Sequence, residues 1–203
     1  MGSVDFKVMK KEDLQTSRWS GGTTTEIFIY PPDSLYARRD FSFRISTASV
    51  EDEESVFTQL TGFKRHIMPL EGKMCLEHEN HHSISLESFE KDFFDGGWVT
   101  KSYGKCRDFN LMLAEGFDGD ISPVKADDVE IFSAKGFMGF YILCGCLAEI
   151  ASEGKIIEKN LENGDFLAFS FTDNPCDGNY VVKFRAEAEN IFASVKVIVR
   201  KRH

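Results

Sequence analysis

No run of eighteen apolar residues occurs in the 203-residue sequence, and the stretch from Met1 to Leu14 is mostly polar, without an apolar core of signal-peptide type. A membrane-spanning helix and a secretory leader are therefore not expected, and the chain reads as soluble and cytosolic. Positive charge is in short supply: 24 Lys and Arg stand against 33 Asp and Glu, a formal net charge of −9. Such a surface repels phosphate backbones and anionic lipid, so neither nucleic acid nor membrane is an expected partner. Paired cysteines are missing as well. Cys75, Cys106, Cys144, Cys146 and Cys176 form an odd set with no Cys-x-x-Cys spacing, which signals neither a disulfide framework nor a zinc knuckle, so they read as reduced thiols. Cys144 and Cys146 lie two apart in the apolar run Phe140 to Leu147, on one face if that run is a single strand. No Ser-His-Asp order, nucleophile elbow, phosphate loop or dinucleotide fingerprint is present.

What is present is aromatic and β-rich. Area scaling gives about 33,000 Å² for the unfolded chain and about 10,000 Å² folded, enough burial for a core without disulfides or metal. Nineteen Phe and sixteen Gly, set in short alternating runs, predict strands and few helices. Twelve strands are expected: 26–30, 41–49, 65–71, 73–78, 82–86, 99–103, 108–115, 137–144, 146–152, 166–171, 180–186 and 194–200. That number suggests a sandwich or barrel. Lys10 to Gln15 has room for one helical turn. An internal echo links Leu70-Glu71-Gly72-Lys73-Met74-Cys75-Leu76 to Leu143-Cys144-Gly145-Cys146-Leu147-Ala148-Glu149, and Asp92-Phe93 to Asp165-Phe166. A recurring hairpin of this kind predicts two β-barrel halves packed as one body.

Several segments carry groups able to do chemistry. Trp19-Ser20-Gly21-Gly22-Thr23-Thr24-Thr25-Glu26 combines a glycine turn with three hydroxyls and a carboxylate, either lining a pocket or simply entering a strand. In Phe41 to Ala48, period-two alternation puts Phe41, Phe43 and Ile45 on one face and Ser42, Arg44, Ser46 and Ala48 on the other. If that second face looks into a barrel, Arg44 needs an anion there: a ligand carboxylate, or Glu26 or Asp108 of the chain itself. Arg65 and His66 open another strand on opposite faces, so either can reach a cavity. Asp108, Asn110 and Met112 share one face, opposite Phe109 and Leu111. His78, His81 and His82, with Glu77, Glu79 and Glu87 nearby, carry metal-ligand chemistry. The spacing of a small-barrel metalloenzyme would, however, require histidine where Asn80 stands, so a polar hairpin tip is the competing reading.

Taken together and in order, Trp-Ser-Gly-Gly-Thr-Thr-Thr-Glu from Trp19, Phe-Arg-Ile-Ser-Thr-Ala from Phe43, Lys-Arg-His-Ile-Met-Pro-Leu-Glu-Gly from Lys64, Leu-Glu-His-Glu from Leu76 and Asp-Phe-Asn-Leu-Met from Asp108 resemble the HutD/Ves family. The similarity covers roughly residues 10 to 122 and is looser beyond. The resemblance implies an all-β fold of double-stranded β-helix (cupin) barrels, with two cupin-like halves packed as one bicupin body. The halves would span about 15–122 and 123–203, with strands exchanged between them. It also implies a small-molecule role. HutD proteins are associated with histidine utilisation and with binding of a breakdown intermediate such as N-formylglutamate, and Ves proteins with environmental stress. Many members carry Trp-Lys-Asn-Gly-Gly-Gly where this chain has Trp-Ser-Gly-Gly, so fine specificity does not transfer.

Carried over by position, the ligand-binding candidates are Trp19, Thr24, Thr25, Glu26, Arg44, Ser46, Arg65, Asp108, Asn110 and Met112. The expected role is a non-catalytic sensor or regulator gripping a small carboxylate through Arg44, aided by Arg65, with no cofactor and no obligatory metal. Two alternatives compete with it. One is a metal-dependent cupin isomerase or dioxygenase using His78, His81 or His82 with a glutamate. The other is a regulatory protein that binds another protein. The oligomeric state is open, with a homodimer among the options.

Overall fold

The computed structural model describes residues 6–133, 136–169 and 179–202. Among these the chain forms nineteen strands and two short 3-10 helices, Lys11–Asp13 and Tyr36–Arg38, with no α-helix. The strands are β1 (Lys7–Met9), β2 (Gln15–Trp19), β3 (Gly22–Tyr30), β4 (Phe43–Val50), β5 (Glu54–Val56), β6 (Phe63–Gly72), β7 (Met74–His78), β8 (Ser83–Leu86), β9 (Asp92–Asp95) and β10 (Thr100–Tyr103), followed by β11 (Cys106–Ala114), β12 (Phe117–Lys125), β13 (Val129–Ser133), β14 (Phe137–Ile142), β15 (Cys146–Ser152), β16 (Lys155–Leu161), β17 (Phe166–Phe169), β18 (Asn179–Ala186) and β19 (Phe192–Lys201). All twelve expected strands are present. The helical turn expected between Lys10 and Gln15 is the first 3-10 helix. Cys176, the turn Asn174-Pro175 and the end of the strand expected at 166–171 lie outside the described residues.

The chain divides into two compact units. One spans Leu14–Asp118 with Arg202; the other comprises Gly119–Lys201 with the N-terminal segment through Asp13. In the first unit the sheets run β2-β3-β4-β11-β6-β9 and β5-β10-β7-β8; in the second they run β1-β17-β14-β19-β12 and β13-β18-β15-β16. Adding eight to each strand number turns β4-β11-β6-β9 into β12-β19-β14-β17, and β5-β10-β7-β8 into β13-β18-β15-β16. The same antiparallel plan is therefore built twice, and the echoed glycines Gly72 and Gly145 sit at equivalent β6–β7 and β14–β15 junctions. β1 joins the second unit by pairing with β17, Lys7 opposite Ala168. Lys10 Nζ then reaches Asp165 Oδ2 at 2.6 Å, and the Lys11 N–H donates to Asp165 Oδ1 at 3.1 Å.

Cores form where alternation delivers apolar side chains inward. In the second unit Phe140, Ile150, Leu167, Val182 and Phe184, all fully buried, belong to one cluster with Met138 and Phe169. In the first unit Ile67, Met74, Leu76, Leu86 and Phe94 form a smaller cluster, and Phe41, Leu60, Phe63 and Met112 another. Cys75, Cys106, Cys144 and Cys146 are free thiols. Cys144 and Cys146 do not share a strand: β14 ends at Ile142, and the chain crosses through 143–145 to β15 in the other sheet. Burial pushes the Cys106 and Cys146 thiols up to about 12, so neither offers a thiolate at neutral pH.

Candidate functional site

In the first unit the alternation that fills the core with hydrocarbon changes character on one inner face. β4 turns Arg44, Ser46, Ala48 and Val50 toward a cavity of about 290 Å³, β6 contributes Arg65, and β11 contributes Asp108, Asn110 and Met112. These strands are neighbours in one sheet. Met112 lies opposite both Arg44 and Arg65, and Asn110 opposite Ser46 and Ile67. Trp19 and Thr24 join the wall from the β2–β3 hairpin, Tyr36 from the second 3-10 helix and Phe57 from the loop after β5. Two glycines make the hairpin possible. A Cβ on Gly21 would lie 2.3 Å from the Trp19 ring, and one on Gly22 would lie 1.9 Å from the Ser49 carbonyl oxygen.

Eight of the ten candidate residues, all but Thr25 and Glu26, line this cavity. Thr25 follows Thr24 on an extended strand and so faces the other way, where its hydroxyl shares a 2.8 Å hydrogen bond with that of Thr16. Glu26 acts one step back. Arg44 Nε donates to Glu26 Oε2 at 2.7 Å and its Nη1 to Ser46 Oγ at 3.1 Å, while the guanidinium lies 4.5 Å from the Tyr36 ring centroid. Of the partners considered for Arg44, the chain's own Glu26 is the one found, and Arg44 also lines the cavity.

Arg65 is the cation left over. It is 6 % exposed, its Cζ lies 4.6 Å from the Phe57 ring centroid and 5.2 Å from that of Phe94, and its Nε has no hydrogen-bond partner among the described residues. Burial pulls its pKa down to about 10, with the Asp108 charge opposing the shift, so it stays cationic at neutral pH. Burial pushes the Asp108 carboxyl up to about 7, against the pull of Arg65 and of a hydrogen bond from the Ala48 N–H. Asn110 Oδ1 is buried without a partner. Two residues of the cavity wall therefore each carry an enclosed, unpartnered polar atom, a cationic donor on Arg65 and a neutral acceptor on Asn110, each worth about 1–3 kcal/mol of desolvation penalty.

His66 points away from this wall, its ring centroid 4.4 Å from that of Phe93. The histidine cluster is reorganised relative to expectation. His81 stacks on Trp98 with centroids 3.7 Å apart, Glu77 accepts from the Tyr103 hydroxyl, and Glu87 pairs with Lys73. His78 and His82 instead converge on Asp92. Local sequence gave no signal for Asp92, Tyr36 or Phe57, because they arrive from a strand, a 3-10 helix and a loop respectively. None of the three convergent residues lines the cavity, whose own set of two guanidiniums and one carboxylate repels a divalent cation and does not fit the metal that a cupin fold implies.

A family model described as HutD matches residues 11–187. The chain belongs to the HutD family. Among solved structures it is similar to a conserved protein of unknown function from Pseudomonas aeruginosa PAO1, with 19% identity, TM-score 0.79, and 98% of this chain and 100% of that one covered. It is also similar to HutD from Pseudomonas fluorescens SBW25, described in a formate condition, with 19% identity, TM-score 0.74 and the same coverage. Bacillus subtilis oxalate decarboxylase matches at 8% identity and TM-score 0.65, over 100% of this chain and 78% of that one, a likeness of fold alone. Among curated proteins no match is found. The HutD family chain is thus all-β and of cupin type.

Proposed function

We propose that the cavity of the first unit binds a small carboxylate, N-formylglutamate being the leading candidate, and that the protein is a cytoplasmic, non-catalytic sensor or regulator. The observation that carries this reading is Arg65: a buried guanidinium whose Nε has no partner, facing a cavity of about 290 Å³. A carboxylate meeting it would make a charge-assisted bond worth about 1.5–3 kcal/mol. The Asn110 side chain, on the same wall, gains a partner for its unpaired Oδ1 if it turns toward a ligand amide N–H, which an N-acyl amino acid possesses and free formate lacks. The volume sits at the lower edge of small-molecule sites, about 300–1,000 Å³, which suits an amino-acid-sized ligand and excludes a dinucleotide. The formate condition of the Pseudomonas fluorescens relative is in keeping with a carboxylate-sized guest.

Calorimetry with N-formylglutamate, glutamate and formate tests this. Wild-type protein is expected to bind N-formylglutamate in the micromolar range, about −8 kcal/mol. Arg65→Ala should weaken binding by about tenfold or more and Arg44→Ala by less, because Glu26 already holds Arg44. Absence of binding by all three compounds, or undiminished binding in Arg65→Ala, overturns the assignment. Release of formate from N-formylglutamate during the titration would overturn its non-catalytic part.

A further inference from the structure

His78, at the end of β7, and His82, just before β8, flank a tight turn whose backbone is fixed. The His78 N–H donates to the His82 carbonyl at 2.9 Å, the His81 N–H donates to the His78 carbonyl at 3.0 Å, and Asn80 takes a positive φ of 62°. The turn leaves the two imidazoles side by side, ring centroids 4.6 Å apart. Asp92 starts β9 on the neighbouring sheet, held in register opposite Ile67. His78 Nε2 lies 2.9 Å from Asp92 Oδ2, and His82 Nε2 lies 3.3 Å from both carboxylate oxygens. Two ring nitrogens thus converge on one buried carboxylate, the three donor atoms all within 4.8 Å of one another.

We propose that His78 Nε2, His82 Nε2 and the Asp92 carboxylate form a binding site for one first-row divalent cation of the zinc class, independent of the carboxylate cavity. Donors bonded to a common tetrahedral zinc at about 2.0–2.2 Å lie about 3.3–3.4 Å apart, so the observed 2.9 and 3.3 Å require only a small opening of the set. The second partner of His78 is also in place. Its Nδ1 lies 2.8 Å from Thr100 Oγ1, which can accept the Nδ1–H and thereby leave Nε2 with its lone pair toward the ion. A directed hydrogen bond accounts less well for His82, whose Nε2 is equidistant from both oxygens at the long end of the N–H···O range. Access is asymmetric: the His78 side chain is fully buried and that of Asp92 nearly so, while the His82 side chain is 41% exposed. An ion would therefore enter past His82 and keep an outward position for water. Two imidazoles and one carboxylate suit zinc and its neighbours better than magnesium or calcium, which take oxygen ligands. Phe94 stands between this cluster and the cavity, its ring 4.5 Å from that of His78 and 5.2 Å from the Arg65 Cζ.

The test uses tag-free, chelator-treated full-length protein titrated with zinc chloride by calorimetry and with cobalt chloride by visible absorbance. One equivalent of zinc is expected, with cobalt giving the intense ligand-field bands of a four- or five-coordinate site. His82→Ala, at an exposed position, and the near-isosteric Asp92→Asn should each weaken zinc binding by at least about tenfold, with folding checked by circular dichroism. His81→Ala and Arg65→Ala should bind zinc like wild type. Lack of stoichiometric uptake, unchanged affinity in either His82→Ala or Asp92→Asn, or an equal loss in His81→Ala would overturn the site. Because the probe is a metal and Arg65→Ala is expected to retain it, failure here and failure of carboxylate binding remain distinguishable.

Discussion

The two units share a strand order but not an interior. Register makes the comparison residue by residue: Arg65 on β6 lies opposite Met112 and Phe94, and Met138 on β14 lies opposite Ile198 and Phe169. Met138 therefore occupies in the second unit the position of Arg65 in the first. Asp108, opposite Pro69, corresponds to Ser194, opposite Ile142, and Asn110 to Lys196, which is ion-paired to Glu130 at 2.7 Å. Of these three positions only Arg65 stands in place of an apolar residue, since Ser194 and Lys196 are polar as well; the difference lies in a guanidinium on β6 and a carboxyl on the neighbouring β11 where the second unit has Met138 and Ser194. The scaffold tolerates this because the hydrocarbon cluster around Ile67, Met74 and Phe94 remains in the first unit. On the proposed reading, function is a property of a few inward positions and not of the fold.

The sharpest way to break the comparison is to move the arginine. Met138→Arg places a guanidinium in the cluster of Phe140, Phe169 and Ile198, where the nearby Glu130 is already paired with Lys196, and it should destabilise the protein by about 3–5 kcal/mol in urea denaturation. A loss under about 1 kcal/mol would mean that the second interior also accommodates charge, and the contrast between the units would fail.

The next effect concerns the acid beside Arg65. An unfolded aspartate titrates near pH 4, whereas burial raises Asp108 to about 7 in the native state. Between those values the folded chain holds a proton that the unfolded chain has lost, so this group's contribution to stability falls as pH rises from about 4 to about 7 and is constant above. Once ionised, Asp108 also competes with a carboxylate ligand for Arg65. Affinity for N-formylglutamate should therefore drop by about tenfold per pH unit above about pH 7. Asp108→Asn should flatten both the binding and the stability profiles. Calorimetry and urea denaturation across this range check both, and a wild-type affinity independent of pH would separate Asp108 from the bound anion.

Much of this contrast could be read before any coordinates. Period-two alternation placed Arg44 and Ser46 opposite Phe43 and Ile45, and Asp108 and Asn110 opposite Phe109 and Leu111, because a pleated strand leaves no other choice. The strands that escaped notice are short or polar ones whose pairing, not their composition, makes them strands. β2 is exposed along its whole length, β5 is three residues long, and β16 carries a single buried residue, Leu161. Thr25 shows the limit of motif reasoning: consecutive residues cannot face one way, so a contiguous motif overstates the pocket, while Glu26, on the Thr24 side of the strand, is taken up by Arg44. Asp92 shows the opposite limit. Its partners, His78 and His82, lie ten or more positions away on other elements, and no local pattern announces that meeting.

The smallest effect tests whether Arg44 is held in reserve. Its pair with Glu26 joins a buried guanidinium to a carboxylate whose side chain is 32% exposed, so solvent screens the attraction and the pair adds no more than about 1 kcal/mol to stability. Glu26→Gln keeps a hydrogen-bond acceptor but removes the charge, leaving Arg44 with Ser46 and the Tyr36 ring. Two guanidiniums then line the cavity, neither hydrogen-bonded to a carboxylate, and N-formylglutamate binding should tighten by about threefold, less than 1 kcal/mol. Unchanged affinity with unchanged stability would show that Arg44 is turned to its neighbours in every state, and Arg65 would then be the sole cation that distinguishes the hollow unit from the filled one.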